Sequence, residues 1–347
     1  MVWASLGQES ISGRANKDGE LPSRDVKVRM LPLFAEIQED LKVVNSELRR
    51  LLVHPDPLLT QTATHLLAAG GKRLRPAFAL LAARFHRYDL QRLLPLALAL
   101  ELIHMATLVH DDVIDRAHTR RGSPTVSAAW GNRISVHTGN CLLAKALILA
   151  AQYRDPLVTR ELARVCVKMC EGEIMQLTGA TVSSVREYLY RIKCKTALLI
   201  AASCKLGAAV AGAPLAVYRA LGRYGYFVGM AYQITDDVLD LSGTQAQLGK
   251  PVGNDLRQGI LTLPVIYAIR RSGAESRLGY LVAKQPKSEQ EIEEAIRLTI
   301  IAGGIDYARG VAGRYLAKAI GELRHLPDVP TRDSLRQIAE FVHARRY

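Results

Sequence analysis

From Leu31 onward, apolar residues recur mostly at intervals of three and four, the spacing that gathers them on one face of an α-helix. Runs with the strict alternation of a half-buried strand are hard to find, so the pattern predicts an all-α chain. Breaks fall where Gly or Pro cluster: Pro55 to Pro57, Gly70 and Gly71, Gly122 to Pro124, Gly212 to Pro214, Gly249 to Gly253, and Pro327 to Pro330. Each separates segments long enough for a helix. No break is a long Ser/Gly/Pro linker and no fixed-period repeat is found, which predicts one helical domain over residues 31–347. Leu93 to Leu100 is apolar throughout and predicts a helix buried on most sides. Residues 1–30 carry Glu9, Asp18 and Glu20 and no apolar block; they read as a flexible N-terminal extension, with neither a secretory signal nor a transit peptide.

The longest apolar stretches are broken by Glu101, Lys145 and Lys205, short of the ~18 to 20 uninterrupted residues a membrane span needs. The expectation is a soluble or peripheral protein. Five cysteines (Cys141, Cys166, Cys170, Cys194, Cys204) form no CxxC pair and sit in helical text, as reduced core thiols of a cytoplasmic protein would.

The most informative text is ELIHMATLVHDDVID, residues 101–115, followed by RAHTRRGSPT. On a helix, Asp111 and Asp115 share a face at i and i+4, His104 lies on that face two turns back, and Asp112 is one step around. YQITDDVLD, residues 232–240, repeats the geometry: Asp236 and Asp240 share a face, Asp237 is one step around, and Gln233 lies one turn before. Carboxylates that repel one another on an apolar helix are costly to bury unless a cation neutralises them. All-oxygen ligation suits Mg²⁺, which keeps water and shares phosphate oxygens, so each DDxxD reads as a bridge to a polyphosphate. A lone DDxxD is as readily a solvated acidic helix end; two copies, each preceded by an apolar helix, are not.

A net charge of +13, from 46 Lys plus Arg against 33 Asp plus Glu, calls for an anionic partner. GGKRLRP, residues 70–76, places Lys72 and Arg75 one turn apart after two glycines that permit close backbone approach. Arg120 and Arg121 follow the first acidic cluster, and guanidinium groups suit bidentate phosphate contacts. Lys195 with Thr196, and Lys250 in GKPVGND, add donors. Lys195 or Lys250 alone would be an ordinary surface charge; the ensemble carries the significance.

GGKRLRP, LVHDDVID with RRGSPT, KTALL, QITDDVLD, and GKPVGNDL through TLP, in that order, resemble the trans-polyprenyl diphosphate synthases from about Leu31 to Tyr347. ELIHMATLVHDDVID, KTALLIAASCKLGA and the ending FVHARRY resemble, more narrowly, the catalytic component II subunits of bacterial heptaprenyl diphosphate synthases. The resemblance implies the isoprenoid synthase fold, long mostly antiparallel helices around a deep central cavity. It implies that Asp111, Asp112, Asp115, Asp236, Asp237 and Asp240 hold about three Mg²⁺ per active site against an allylic diphosphate. Arg120, Lys195, Thr196, Lys250 and Gln233 would bind that same diphosphate, and Lys72, Arg75, His104 and Arg121 would grip isopentenyl diphosphate. Asp111, Asp112, Asp115, Asp236, Asp237 and Lys195 would be the catalytic set. The product would be a heptaprenyl chain for a quinone such as menaquinone, with geranylgeranyl, hexaprenyl and octaprenyl or solanesyl lengths as alternatives. The partner would be a small component I subunit or a second copy.

In that family, bulk just upstream of the first DDxxD forms the cavity floor, and this chain has Ala106 and Thr107 there, which implies a long product. Helical phase favours Thr107 and Ile103 beneath Asp111; only the resemblance nominates Ala106. Two positions depart from the family pattern. Ile260 follows Gly259 where many short-chain relatives carry Lys, and Asn140 follows Gly139 where Asp is usual.

Rival functions fit less text. An HD-type metal phosphohydrolase would use His104, His110 and Asp111, but His104 and His110 are about 240° apart on a helix and the second DDxxD is left over. A terpene cyclase motif NDxxSxxxE begun at Asn254 meets Gln258 and Thr262 in place of Ser and Glu. GGKRLR lacks the spacing of a phosphate-binding loop. Nucleic acid is not an expected partner, since the basic residues are dispersed and aromatics make up 6% of the chain. A non-catalytic regulatory subunit is disfavoured by the intact acidic and basic sets. The surplus basic charge is left for a partner or a peripheral membrane contact.

Overall fold

The computed structural model describes residues 32–178, 184–242 and 252–344; Lys250 and residues 1–31 lie outside them. The described chain is helical almost throughout, as the spacing predicts. Helix starts are written in the sequence. Asp56 accepts hydrogen bonds from the Leu58 and Leu59 amides and Pro57 opens the helix Pro57–Ala68, while Asp89 caps Leu90–Ile114 through the Gln91 amide. Ser184 with Glu187 and Ser288 with Glu291 form reciprocal capping boxes at Val185–Ile192 and Glu289–Ile301.

Leu90–Ile114 is the central helix. Leu93, Leu96 to Leu100, Leu102 and Ile103 are all buried, the consequence of a run with no polar face. By length and composition it could cross a membrane, yet 67% of its most apolar window is buried within the fold. It packs against Asn132–Ala150 on one side and Leu74–Ala83 on the other. Leu215–Ser242, 28 residues long, packs against Leu198–Val210 and Gly304–Glu322. Gly229 lets that long helix ride close over the turn Lys193–Ala197, since a Cβ there would lie 2.7 Å from Ala197 Cα. Lys193–Ala197 is itself a single π-helical turn, a local widening often found at functional sites. The close approach sets Gln233 beside Thr196.

Pairing in the text RRGSPT escaped the helical reading. Thr119–Arg120 pairs antiparallel with Ser123–Pro124, and the linking residues Arg121 (φ 53°) and Gly122 (φ 78°) are both left-handed. Two central residues at positive φ are what a tight type I′ hairpin turn requires, and Gly122 takes the second place without a Cβ penalty. Arg121 is thereby held between Arg120 and the glycine loop; a Cβ on Gly71 would come within 3.0 Å of its Nη1.

Candidate active site

The two acidic segments end the two longest apolar helices. Asp115 is the C-terminal cap of Leu90–Ile114, and Asp236, Asp237 and Asp240 occupy the last turns of Leu215–Ser242. Carboxylates there add to the negative end of the helix dipole, so each site favours a cation. A cavity of about 800 Å³ is lined by Asp115 of the first segment and Asp237 of the second, with Arg120, Arg121, Lys195 and Gln233. Thr196 and Ile260 lie on the same wall.

The aspartates are not equivalent. Burial pushes the Asp111 carboxyl up to about 7, with Lys195 opposing and Glu173 and Asp115 adding to the rise. Burial also raises Asp115, again against Lys195. Asp112 turns away: it is 1% exposed and lies 2.8 Å from Arg120 Nη2. In the second segment Asp236 is half-buried. Asp237 is raised to about 6 by burial, although Tyr188 Oη donates to its Oδ2 at 2.6 Å and Gln233 Nε2 to its Oδ1 at 2.8 Å. Asp240 is buried and accepts the Asp255 amide at 3.1 Å, bracing the short helix Asn254–Arg257.

Lys195 lies 2.5 Å from Glu173 Oε2 and donates to Gln176 Oε1 at 3.2 Å, and Thr196 Oγ1 donates to Gln233 Oε1 at 2.8 Å. A continuous chain Thr196, Gln233, Asp237, Tyr188 results. Around the glycine loop, His104 is held well below its ordinary value by burial and then by Arg75, Arg121, Arg120 and Arg73, so the ring is neutral. Arg75 is lowered by burial, and its buried Nε has no hydrogen-bond partner among the described residues. Lys72 is exposed. Arg73, in a left-handed conformation, pairs with buried Glu101 at 2.8 Å and donates to Asn45 at 2.9 Å, anchoring the loop. Ala106 is buried, whereas Thr107 is half-buried on the stripe His104, Thr107, Asp111. Asn140 is exposed.

Glu173, Gln176, Tyr188 and Arg191 were not singled out by sequence. A signal existed for the first two: EGEIMQL puts Glu173 and Gln176 on one helix face, directly after a glycine. A Cβ on Gly172 would lie 2.7 Å from that of Cys194, so the glycine is what lets Glu173 reach Lys195.

The donor set fits a hard divalent cation. Asp111, Asp115 and Asp237 are raised by burial in spite of the cations nearby, and Glu173 Oε1 is buried without a hydrogen-bond partner among the described residues. Among the described residues no three carboxylate, His or Cys groups form a closed cage. An ion bound by one or two carboxylates and completed by phosphate oxygens and water needs none.

Known proteins are similar to this chain in sequence and fold. Residues 56–299 match the family described as Polyprenyl synthetase. Heptaprenyl diphosphate synthase component 2 of Bacillus subtilis (strain 168) is 42% identical over 335 residues, 96% of this chain and 95% of that one. The component 2 of Geobacillus stearothermophilus is 44% identical over 323 residues, 92% of this chain and 100% of that one. A crystal structure of the polyprenyl synthase from Caulobacter crescentus CB15, complexed with calcium and isoprenyl diphosphate, superposes with a TM-score of 0.85 at 36% identity, covering 91% of this chain and 97% of that one. The fold is the all-α isoprenoid synthase fold, the enzyme is a prenyltransferase, and the chain belongs to the polyprenyl synthetase family.

Proposed function

We propose that the chain is the catalytic component of a two-component heptaprenyl diphosphate synthase, adding isopentenyl diphosphate repeatedly to an allylic diphosphate with about three Mg²⁺ per active site. One observation carries this: Asp115 of the first acidic helix and Asp237 of the second line one cavity with Arg120, Arg121 and Lys195. When bound, the metal ions neutralise charge developing on the departing diphosphate. Asp111, Asp115, Asp236, Asp237 and Asp240 would hold the ions, while Asp112 fixes Arg120 and Asp240 also braces the Asn254–Arg257 turn. Lys195 and Thr196, steered by Glu173 and Gln233, grip the allylic diphosphate, and Lys250 joins them by sequence position. Arg75, Arg121 and Lys72 receive isopentenyl diphosphate beside neutral His104, which donates or accepts a hydrogen bond without adding charge. The apolar interior keeps water from the allylic cation while the isopentenyl double bond attacks it. Ala106 and Thr107 leave room for a long product.

An exposed apolar seam supports the two-component reading. On Pro156–Thr178 the residues Ala163, Val167, Cys170, Ile174 and Leu177 are exposed at alternating intervals of four and three, the seam of a helix that packs on another. Leu147 and Ile148 of Asn132–Ala150 are exposed as well. A small component I subunit, or a second copy of this chain, would cover them. The apolar product gives reason for a cytoplasmic enzyme to touch membrane lipid; vesicle cosedimentation insensitive to anionic lipid and salt would remove that part. The test of the whole is product analysis by mass spectrometry with and without the small subunit. Heptaprenyl product only in its presence is expected; full turnover to long chains by the chain alone counts against the two-component assembly, and no metal-dependent elongation in either case overturns the proposed activity.

A further inference from the structure

We propose that Arg191 is a further diphosphate-binding residue, supplying a cation on the wall where Ile260 offers none. The inference deepens the proposed reaction and rests on it. Arg191 ends the helix Val185–Ile192 and is 8% exposed. It lines the cavity together with Lys195, Gln233, Asp237 and Ile260.

Its surroundings differ from those of the partly buried Arg73 and Arg120. Arg73 is neutralised by Glu101 and Arg120 by Asp112, each at 2.8 Å. Arg191 has no carboxylate within ion-pair distance among the described residues. Nη2 donates to the Leu261 carbonyl at 2.5 Å, and the guanidinium carbon lies 5.6 Å from the Tyr188 ring centroid. A guanidinium carries five N–H donors, so Nε and Nη1 remain for a ligand. Asp237 acts on Arg191 from a distance without touching it, so an anion entering the cavity would supply the charge-assisted contact that no carboxylate makes. The tether to Leu261 aims the group: it leans on the residue next to Ile260, whose apolar side chain shares the wall. Lys195 follows four residues later across the π-helical turn, so the two cations flank one stretch of cavity. Planar, two-pronged donation by arginine suits phosphate oxygens better than a point charge.

Calorimetric titration of the full chain with inorganic diphosphate and Mg²⁺ tests this without relying on turnover. Arg191→Gln is expected to weaken binding about 10- to 100-fold, the range for losing a hydrogen bond to a charged group. Arg191→Lys keeps a charge but loses the fork, and the double variant Arg191→Gln/Ile260→Lys restores a cation from the neighbouring position; each is expected to bind within about fivefold of the unaltered chain. Were Arg191 only a strut for Leu261, both would be as weak as Arg191→Gln, and that result overturns the inference. Arg191→Gln binding as tightly as the unaltered chain overturns it too. If Arg191→Gln does not fold, Arg191→Lys decides: at an unchanged Tm, a loss beyond about tenfold is the overturning result. No diphosphate binding by the unaltered chain would instead overturn the diphosphate site itself, and the inference with it.

Discussion

Arg120 closes on Asp112 with Nε 2.9 Å from Oδ1 and 3.1 Å from Oδ2, and with Nη2 2.8 Å from Oδ1. The middle of the three aspartates in DDVID is therefore spent on the hairpin that carries Arg121, leaving Asp115 on the cavity wall and Asp111 one turn before it on the same helix face. Asp112→Asn is expected to lower activity while shifting the Mg²⁺ half-saturation less than Asp111→Asn or Asp115→Asn does. Arg120→Ala, which strands a buried carboxylate, should cost about 3 kcal/mol of stability. Equal Mg²⁺ shifts for all three aspartate variants would place Asp112 among the metal ligands after all.

Asp111 gives a pH signature of the metal-free protein. Its carboxyl sits near 7 in the fold against an ordinary 3.8, so the fold favours the protonated form. A raised carboxyl contributes stability that is full below about 3.8 and lost as pH rises through about 7. Asp111→Asn removes the charge, and its Tm without metal should exceed that of the unaltered chain by several degrees at pH 8. At pH 5 the gap should be about half as large or less, and it should close below about pH 4. Saturating Mg²⁺ should raise the unaltered chain more than the variant. A metal-free Tm that is higher for the unaltered chain at pH 8 would contradict this account.

The helices and the two acidic segments were legible in the sequence because their signal is periodic: Asp111 with Asp115, and Asp236 with Asp240, are one helical turn apart whatever surrounds them. Phase could not tell which carboxylates stay open. Asp112 accepts Arg120 and Asp240 the Asp255 amide, donors that packing supplies from another segment, as Tyr188 does for Asp237. Glu173 was missed for the converse reason, since its importance comes from Lys195, 22 positions later in the chain and across a glycine contact. The hairpin at Arg121 was missed because two residues of pairing are too short for alternation to show. Local periodicity is written in sequence; partners distant in sequence are not.

Product length should respond to bulk below Asp111. Thr107 lies one turn beneath it on the half-buried stripe, and Ala106 beside it is 2% exposed, so an added ring at either place must take interior space. Ala106→Phe and Thr107→Phe are both expected to shift products toward shorter chains in a mass-spectrometric assay. Ala106→Phe should also cost about 1 to 3 kcal/mol, as overpacking of a closed site does. Unchanged chain lengths in both would put the cavity floor elsewhere.

The exposed seam on Pro156–Thr178 yields a test in which stability and association part company. Val167 is 59% exposed within that seam, so a charge there meets solvent in the isolated chain and should change stability by no more than about 0.5 kcal/mol. In a complex the same charge would be buried against an apolar partner face with nothing to neutralise it, a cost of several kcal/mol. Val167→Asp is therefore expected to keep its Tm, its Mg²⁺-dependent diphosphate binding and its helical content while losing association in sedimentation experiments and losing stimulation by the small subunit. Arg219, exposed on Leu215–Ser242, serves as a control, and Arg219→Asp should leave association unchanged. Undiminished association of Val167→Asp at micromolar concentration would mean that the partner sits on another face, and the seam would then need a different explanation.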